Sequence, residues 1–93
     1  MPLNFEWDKK KARSNAEKHG VRFEEASTIF ADPVSLTIPD PAHSQEEARF
    51  VTIGRSHRDK FLVVVHTGRG DNIRLISARP ASRRERKTYE EIS

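Results

Sequence analysis

The segment IRLISARPASRRERKTYEEIS, residues 73–93, changes its periodicity halfway along. Its first seven residues include Ile73, Leu75 and Ile76 and predict an apolar strand over 73–79. Pro80 lacks the N–H that a ladder needs, so the chain must turn there. Ser82 and Glu85 then stand at the Ser-x-x-Glu spacing of a capping box, in which hydroxyl and carboxylate each satisfy an orphan backbone N–H. A helix over 83–92 follows. Arg79 therefore ends a packed strand, while Arg83 and Arg84 open a helix. An apolar strand held in place by packing delivers guanidinium groups at its end.

Reading backwards, strands are expected over 49–56 and 61–67, joined by the turn HRDK and continued by GRGDN. Gly68 and Gly70 permit the positive φ that such hairpins need. Consecutive hairpins make an antiparallel meander. VSLTI is a further strand, and PDPAHSQEEA, with two prolines and no periodicity, is a loop. At the N-terminus NFEWD reads as a short strand with Phe5 and Trp7 on one side. Asp8 can cap a helix over 9–19 and Gly20 can end it. That helix has an unusual inner stripe of Ala12, Asn15, Ala16 and His19, in which two polar side chains share the apolar face. VRFEEASTIFADP predicts a second short helix with Phe23, Ala26 and Phe30 inward, stopped at Asp32-Pro33. The order β-α-α-β-β-β-β-α predicts one α+β domain over 1–93. Its antiparallel sheet should carry helices on one face and leave the other partly open for a substrate or partner.

A 93-residue chain with 34% apolar residues makes one small domain with a thin core. It has no cysteine, which excludes disulfides and thiolate metal sites and suits a reducing cytoplasm. The first twenty residues contain no secretory h-region. The longest apolar run, Phe61–Val65, is far too short to span a bilayer. A soluble cytoplasmic protein without a membrane partner is expected. The net charge is +3 and the pI about 9.6. Residues 1–48 carry six basic and nine acidic side chains, whereas residues 49–93 carry eleven and five. The positive charge thus gathers in the half that forms the sheet, as a phosphate-binding footprint would.

Arginine offers a planar fork that matches phosphate oxygens bidentately and stays charged at physiological pH. If register allows, Arg49, His66 and Arg74 share a sheet face, since each alternates with apolar neighbours. Arg55 and Arg58, near a turn, read as surface charge. The four histidines, His19, His43, His57 and His66, show no metal-binding spacing, so no metal or other cofactor is expected. His66 follows FLVVV and should be held by the sheet; His19 sits at a helix end, where a backbone hydrogen bond is the simpler role. Glu46 or Glu47 could act as a base beside Arg49. The RGD at 69–71 reads as a hairpin turn, and SRRERK as the start of a folded helix.

Four blocks together resemble one family. FEWDKKKARSNAEKHGVRFEEA, DPAHSQEEARFVTIG, VVVHT and IRLISARPASRRERKTYE occur in the order found in the BrnT toxins of bacterial type II toxin–antitoxin systems, across about residues 5–90. The resemblance implies a RelE-like fold and RNA cleavage. It also implies neutralisation in a hetero-oligomer by a BrnA-like antitoxin with a ribbon-helix-helix domain, through which DNA is bound only indirectly. It marks Trp7, Asp8, Lys11, Asn15, Lys18, His19, Arg49, His66, Arg74, Ser77, Arg79 and Glu85 as motif positions. Pro80 stands where relatives often have a basic residue, and Gly68 where they often have an acidic one.

On that resemblance the expected activity is metal-independent endoribonuclease cleavage of mRNA, in which the substrate's 2′-hydroxyl attacks phosphorus. Arg79 and Arg49 would clamp the phosphate. His66, with His19 behind it, would move protons. Lys11, Lys18, Arg74, Arg83 and Arg84 would hold flanking backbone, and Tyr89 would stack on a base. The alternative is an inactive homologue that serves only as the protein partner of a DNA-binding antitoxin in operon autoregulation.

Overall fold

A computed structural model describes residues 3–40 and 48–92. The described residues form β1 (Asn4–Glu6), α1 (Lys9–His19), α2 (Phe23–Ala26) continued by a 3₁₀ turn (Ser27–Ala31), β2 (Leu36–Pro39), β3 (Arg49–Arg55), β4 (Phe61–Arg69), β5 (Asn72–Pro80) and α3 (Arg83–Ile92). The predicted element order holds. His43, Glu46 and Glu47 lie outside the described residues.

The five strands form one sheet in the order β1-β5-β4-β3-β2. The meander β2–β5 is antiparallel as expected. The first strand is the exception: β1 pairs parallel to β5, Asn4 with Asn72 and Glu6 with Arg74, so the sheet is mixed. Its short reach has a consequence. Among the described residues no strand covers the outer edge of β5 beyond Arg74, and α1 lies there instead. The Asn15 side chain accepts from the Ala78 N–H (3.0 Å) and donates to the Ala78 carbonyl (2.8 Å). It thereby makes the two bonds that a neighbouring strand would make, and it donates to the Val21 carbonyl as well (3.0 Å). The polar residue in the inner stripe of α1 is thus a surrogate strand partner.

The main core lies between the sheet and α1, α2 and the 3₁₀ turn. Phe23, Ala26 and Ile29 meet Leu62, Val64, Leu75 and Ala78, with Phe5, Trp7, Phe30 and Ile73 at the margin. Fully burying a side chain such as Phe23 or Leu62 contributes roughly 1.5–3 kcal/mol. The second helix is α-helical for only one turn. The tighter 3₁₀ continuation brings Ile29 fully inside and leaves Phe30 half-buried, where Phe30 alone was expected. Gly54 leaves the space that Ile29 occupies: a Cβ there would stand 3.1 Å from the Ile29 Cβ.

The helices do not all share that face. Strand alternation puts Ile53 and Val63 on the opposite side, where Tyr89 of α3 packs on them. Ser82 and Glu85 form the predicted capping box: the Ser82 N–H donates to the Glu85 carboxylate (2.8 Å) and the Glu85 N–H to the Ser82 hydroxyl (3.2 Å). Tyr89 packs edge-on to Phe61 and donates its hydroxyl to Asp32 (2.7 Å). Tyr89 is 5% exposed, so it anchors α3 and offers no free ring face for the expected stacking on a base.

Candidate functional site

The register decides which basic side chains can act together. Arg49 pairs with Thr67, and Thr67 pairs with Arg74, so both arginines flank Thr67 on the same side of the sheet. An irregularity between Val65 and His66 leaves Ile76 without a partner across β4, and on either side of it the alternation resumes. Arg79 opposite Val63 and Ser77 opposite Val65 therefore share the face of Arg49 and Arg74. The α3 helix covers one end of this face and sets Arg83 and Arg84, both exposed, at its first turn.

Each of two arginines on this face has a carboxylate partner. Arg74 Nη1 donates to Glu6 Oε2 at 2.8 Å. Hydrogen bonds from Asn72 and Arg74, with the charge of Arg69 nearby, hold the Glu6 carboxyl below its ordinary range against the opposing effect of burial. Arg79 meets Glu85 end-on through two bonds of 2.7 Å. That pair pulls the Glu85 carboxyl from 4.5 to about 2 and raises the guanidinium of Arg79 further. Arg79 keeps a side-chain exposure of 43%.

Beside this face runs a groove of about 190 Å³ between α1 and β5, lined by Lys11, Ser14, Lys18, His19, Ile76 and Ser77 over the floor made by Asn15. The cap explains its N-terminal end. Asp8 accepts from the N–H groups of Lys10 (2.8 Å) and Lys11 (3.1 Å), so α1 starts just where three lysines follow. Lysines in a first turn oppose the helix dipole; these three are exposed. His19 is half-buried at the other end, where Gly20 (φ 71°) closes the helix.

His66 is not with these residues. It faces the main core, 8% exposed, between the rings of Phe30 and Phe50. Its Nε2 bonds to the Thr52 hydroxyl (2.7 Å), which bonds in turn to Thr37 (2.7 Å). Burial lowers its pKa from 6.5 to about 4, so the ring is neutral at pH 7. The expectation that His66 shares a face with Arg49 and Arg74 fails because Phe50 and Leu75, its cross-strand partners, are the inward-facing residues. Glu6 was not assigned a role from sequence, and Glu85 was not expected to partner Arg79. Glu85 carried a signal, its place in the capping box, but nothing in the order of residues announces that the same carboxylate reaches Arg79.

Comparisons with known proteins bear on this arrangement. The sequence matches the family described as ribonuclease toxin, BrnT, of type II toxin-antitoxin system, over residues 7–85. The fold is similar to the 1.1 Å crystal structure of the ribonuclease toxin BrnT of Brucella abortus. The TM-score is 0.68 at 24% identity, covering 88% of this chain and all of that one. No curated protein matches the sequence. The family match runs through α1, the arginine-bearing face and the cap of α3, and it shows that the chain belongs to the BrnT family of ribonuclease toxins of type II toxin–antitoxin systems.

Proposed function

We propose that the chain is an endoribonuclease that cleaves mRNA without a resident metal, and that a BrnA-like ribbon-helix-helix antitoxin neutralises it by covering the arginine face. One observation carries this reading: Arg49, Arg74 and Arg79 share one side of the sheet, beside the groove lined by Lys11, Lys18 and His19. Arg79 and Arg49 hold the scissile phosphate and meet the charge that builds on its oxygens. Lys11, Lys18, Arg74, Arg83 and Arg84 hold the neighbouring phosphates.

RNA brings its own nucleophile. The 2′-hydroxyl loses its proton to a base and its oxygen bonds to phosphorus, while the bond from phosphorus to the 5′-oxygen breaks. The departing oxygen takes up a proton, and a 2′,3′-cyclic phosphate remains. His19 is the histidine suited to this transfer, because it lines the groove. His66, enclosed on the other side of the sheet, is assigned to the core.

The test is cleavage of an oligoribonucleotide by the purified chain, with and without excess EDTA, followed by end-group analysis. Continued cleavage in EDTA with a 2′,3′-cyclic phosphate end is the expected result, and deoxyribose 5′ to the cut should stop the reaction. Cleavage that EDTA abolishes, or that proceeds at the deoxy-substituted bond, sinks the mechanism. A chain that cuts no RNA and does not slow growth when induced in bacteria is instead the inactive partner of an antitoxin.

A further inference from the structure

Arg79 reaches its phosphate, on the reading above, with only part of its guanidinium. Of its five N–H groups, one on Nη1 and one on Nη2 go to Glu85, and the second on Nη1 goes to the Pro80 carbonyl (3.2 Å). Among the described residues, what remains without a partner is the N–H of Nε and the second N–H of Nη2. These two lie side by side and parallel, in the fork geometry that grips two oxygens of a phosphate. Glu85 is itself fixed. Its Oε1 accepts from the Ser82 N–H as well as from Arg79 Nη1, and its backbone is held by the Ser82 hydroxyl. The cap of α3 thus anchors one carboxylate, which anchors one guanidinium, which presents one fork.

We infer that Glu85 is a positioning residue for cleavage: by binding Arg79 end-on, it turns the free side of the guanidinium toward the scissile phosphate before substrate arrives. Arginine alone would carry the charge but would sample several orientations from an exposed position. Prior orientation is what lets an electrostatic contact act in the transition state without reorganisation. The inference rests on the role given to Arg79 in the proposed function.

Two substitutions separate positioning from helix capping. In Glu85→Gln the amide oxygen can still accept from the Ser82 N–H and from Arg79 Nη1, so the capping box survives, Gln being a natural N3 residue. The amide nitrogen, however, now faces Arg79 Nη2 donor to donor, and the fork must rotate. Ser82→Ala removes the hydroxyl side of the cap and leaves the carboxylate–guanidinium pair in place. The experiment measures single-turnover cleavage, substrate affinity and melting temperature for the wild type, Glu85→Gln, Ser82→Ala and Arg79→Ala.

Glu85→Gln should cut the cleavage rate by about 10- to 100-fold, the scale of a small misplacement of a reacting group. Binding, carried by charge, should change little, and the melting temperature should stay near that of the wild type. Ser82→Ala should lower the melting temperature and keep the rate. Two outcomes overturn the inference: Glu85→Gln cleaving at or above the wild-type rate, or Ser82→Ala losing as much rate as Glu85→Gln while still folded. If Arg79→Ala cleaves normally, the assignment of Arg79 to the phosphate fails, and the role of Glu85 falls with it. If Arg79→Ala is inactive and Glu85→Gln is not impaired, only the positioning role is lost.

Discussion

His66 shows how one residue changes meaning with its surroundings. In sequence it is a titratable ring on a strand beside arginines. In the fold it is enclosed by Phe30 and Phe50 and tied to Thr52. Burial holds its pKa at about 4, below the 6.5 of an exposed imidazole. The sign of the linkage follows. Between those two values the unfolded chain binds a proton that the folded chain refuses, so stability is fully present above pH 6.5 and is lost as pH falls toward 4. A group shifted this far contributes on the order of 3 kcal/mol to that loss. Urea unfolding at pH 7 and pH 4.5 should therefore show a marked drop for the wild type and a smaller one for His66→Gln. An equal drop in both would place the titrating group elsewhere.

At the scale of elements, the contact between β3 and the 3₁₀ turn is a close one. The strand passes close to Ile29 and Ser35 at position 54: an added Cβ would lie 3.1 Å from Ile29 and 3.2 Å from Ser35, with the Ile29 carbonyl at 3.3 Å, all tighter than ordinary van der Waals contact. Backbone as well as side chain must then move. Gly54→Ala should destabilise by about 1–3 kcal/mol, the usual cost of overpacking a formed core. Chemical denaturation reads this directly, and a variant as stable as the wild type would mean that the 3₁₀ turn is free to shift. The same junction carries Asp32, whose carboxylate accepts from Arg55, Val34 and Tyr89 and so ties β3, the turn after the 3₁₀ segment and α3 together. Burial pushes that carboxyl up, but the three donors outweigh it and hold it below its ordinary range.

At the scale of the molecule, the question is how its positive charge is spread. The sheet face and the lysine groove stand side by side along β5, so a bound strand would cross both. Lys11 and Lys18 are exposed, and neutralising them should leave the fold intact. Binding of a deoxy-substituted, uncleavable RNA should then weaken. Its log–log dependence on salt should flatten by about 1.4 in Lys11→Gln/Lys18→Gln, at roughly 0.7 per single-strand phosphate contact. An unchanged slope would remove the groove from the path of the RNA.

What the sequence determined by itself was whatever depends on neighbours along the chain. The cap at Asp8, the stop at Gly20, the turn at 57–60 and the Ser82–Glu85 box are local hydrogen-bond and dihedral requirements, so each could be read before any contact was known; the second hairpin is tighter than the expected 68–72, because Gly68 pairs within β4 and only Gly70 takes a positive φ. The family, carried by four ordered blocks, was legible for the same reason. What only the tertiary structure decided was which residues face one another. A β-strand's side chains alternate, and a single irregularity opposite Val65 and His66 resets which ones point where. That register put Arg49, Arg74 and Arg79 on one side and His66 on the other. The parallel pairing of β1, the use of Asn15 as a strand partner and the place of α3 opposite the other helices are likewise long-range. Each joins residues some sixty positions apart or answers to the packing of a whole face, and no local periodicity encodes such a pairing.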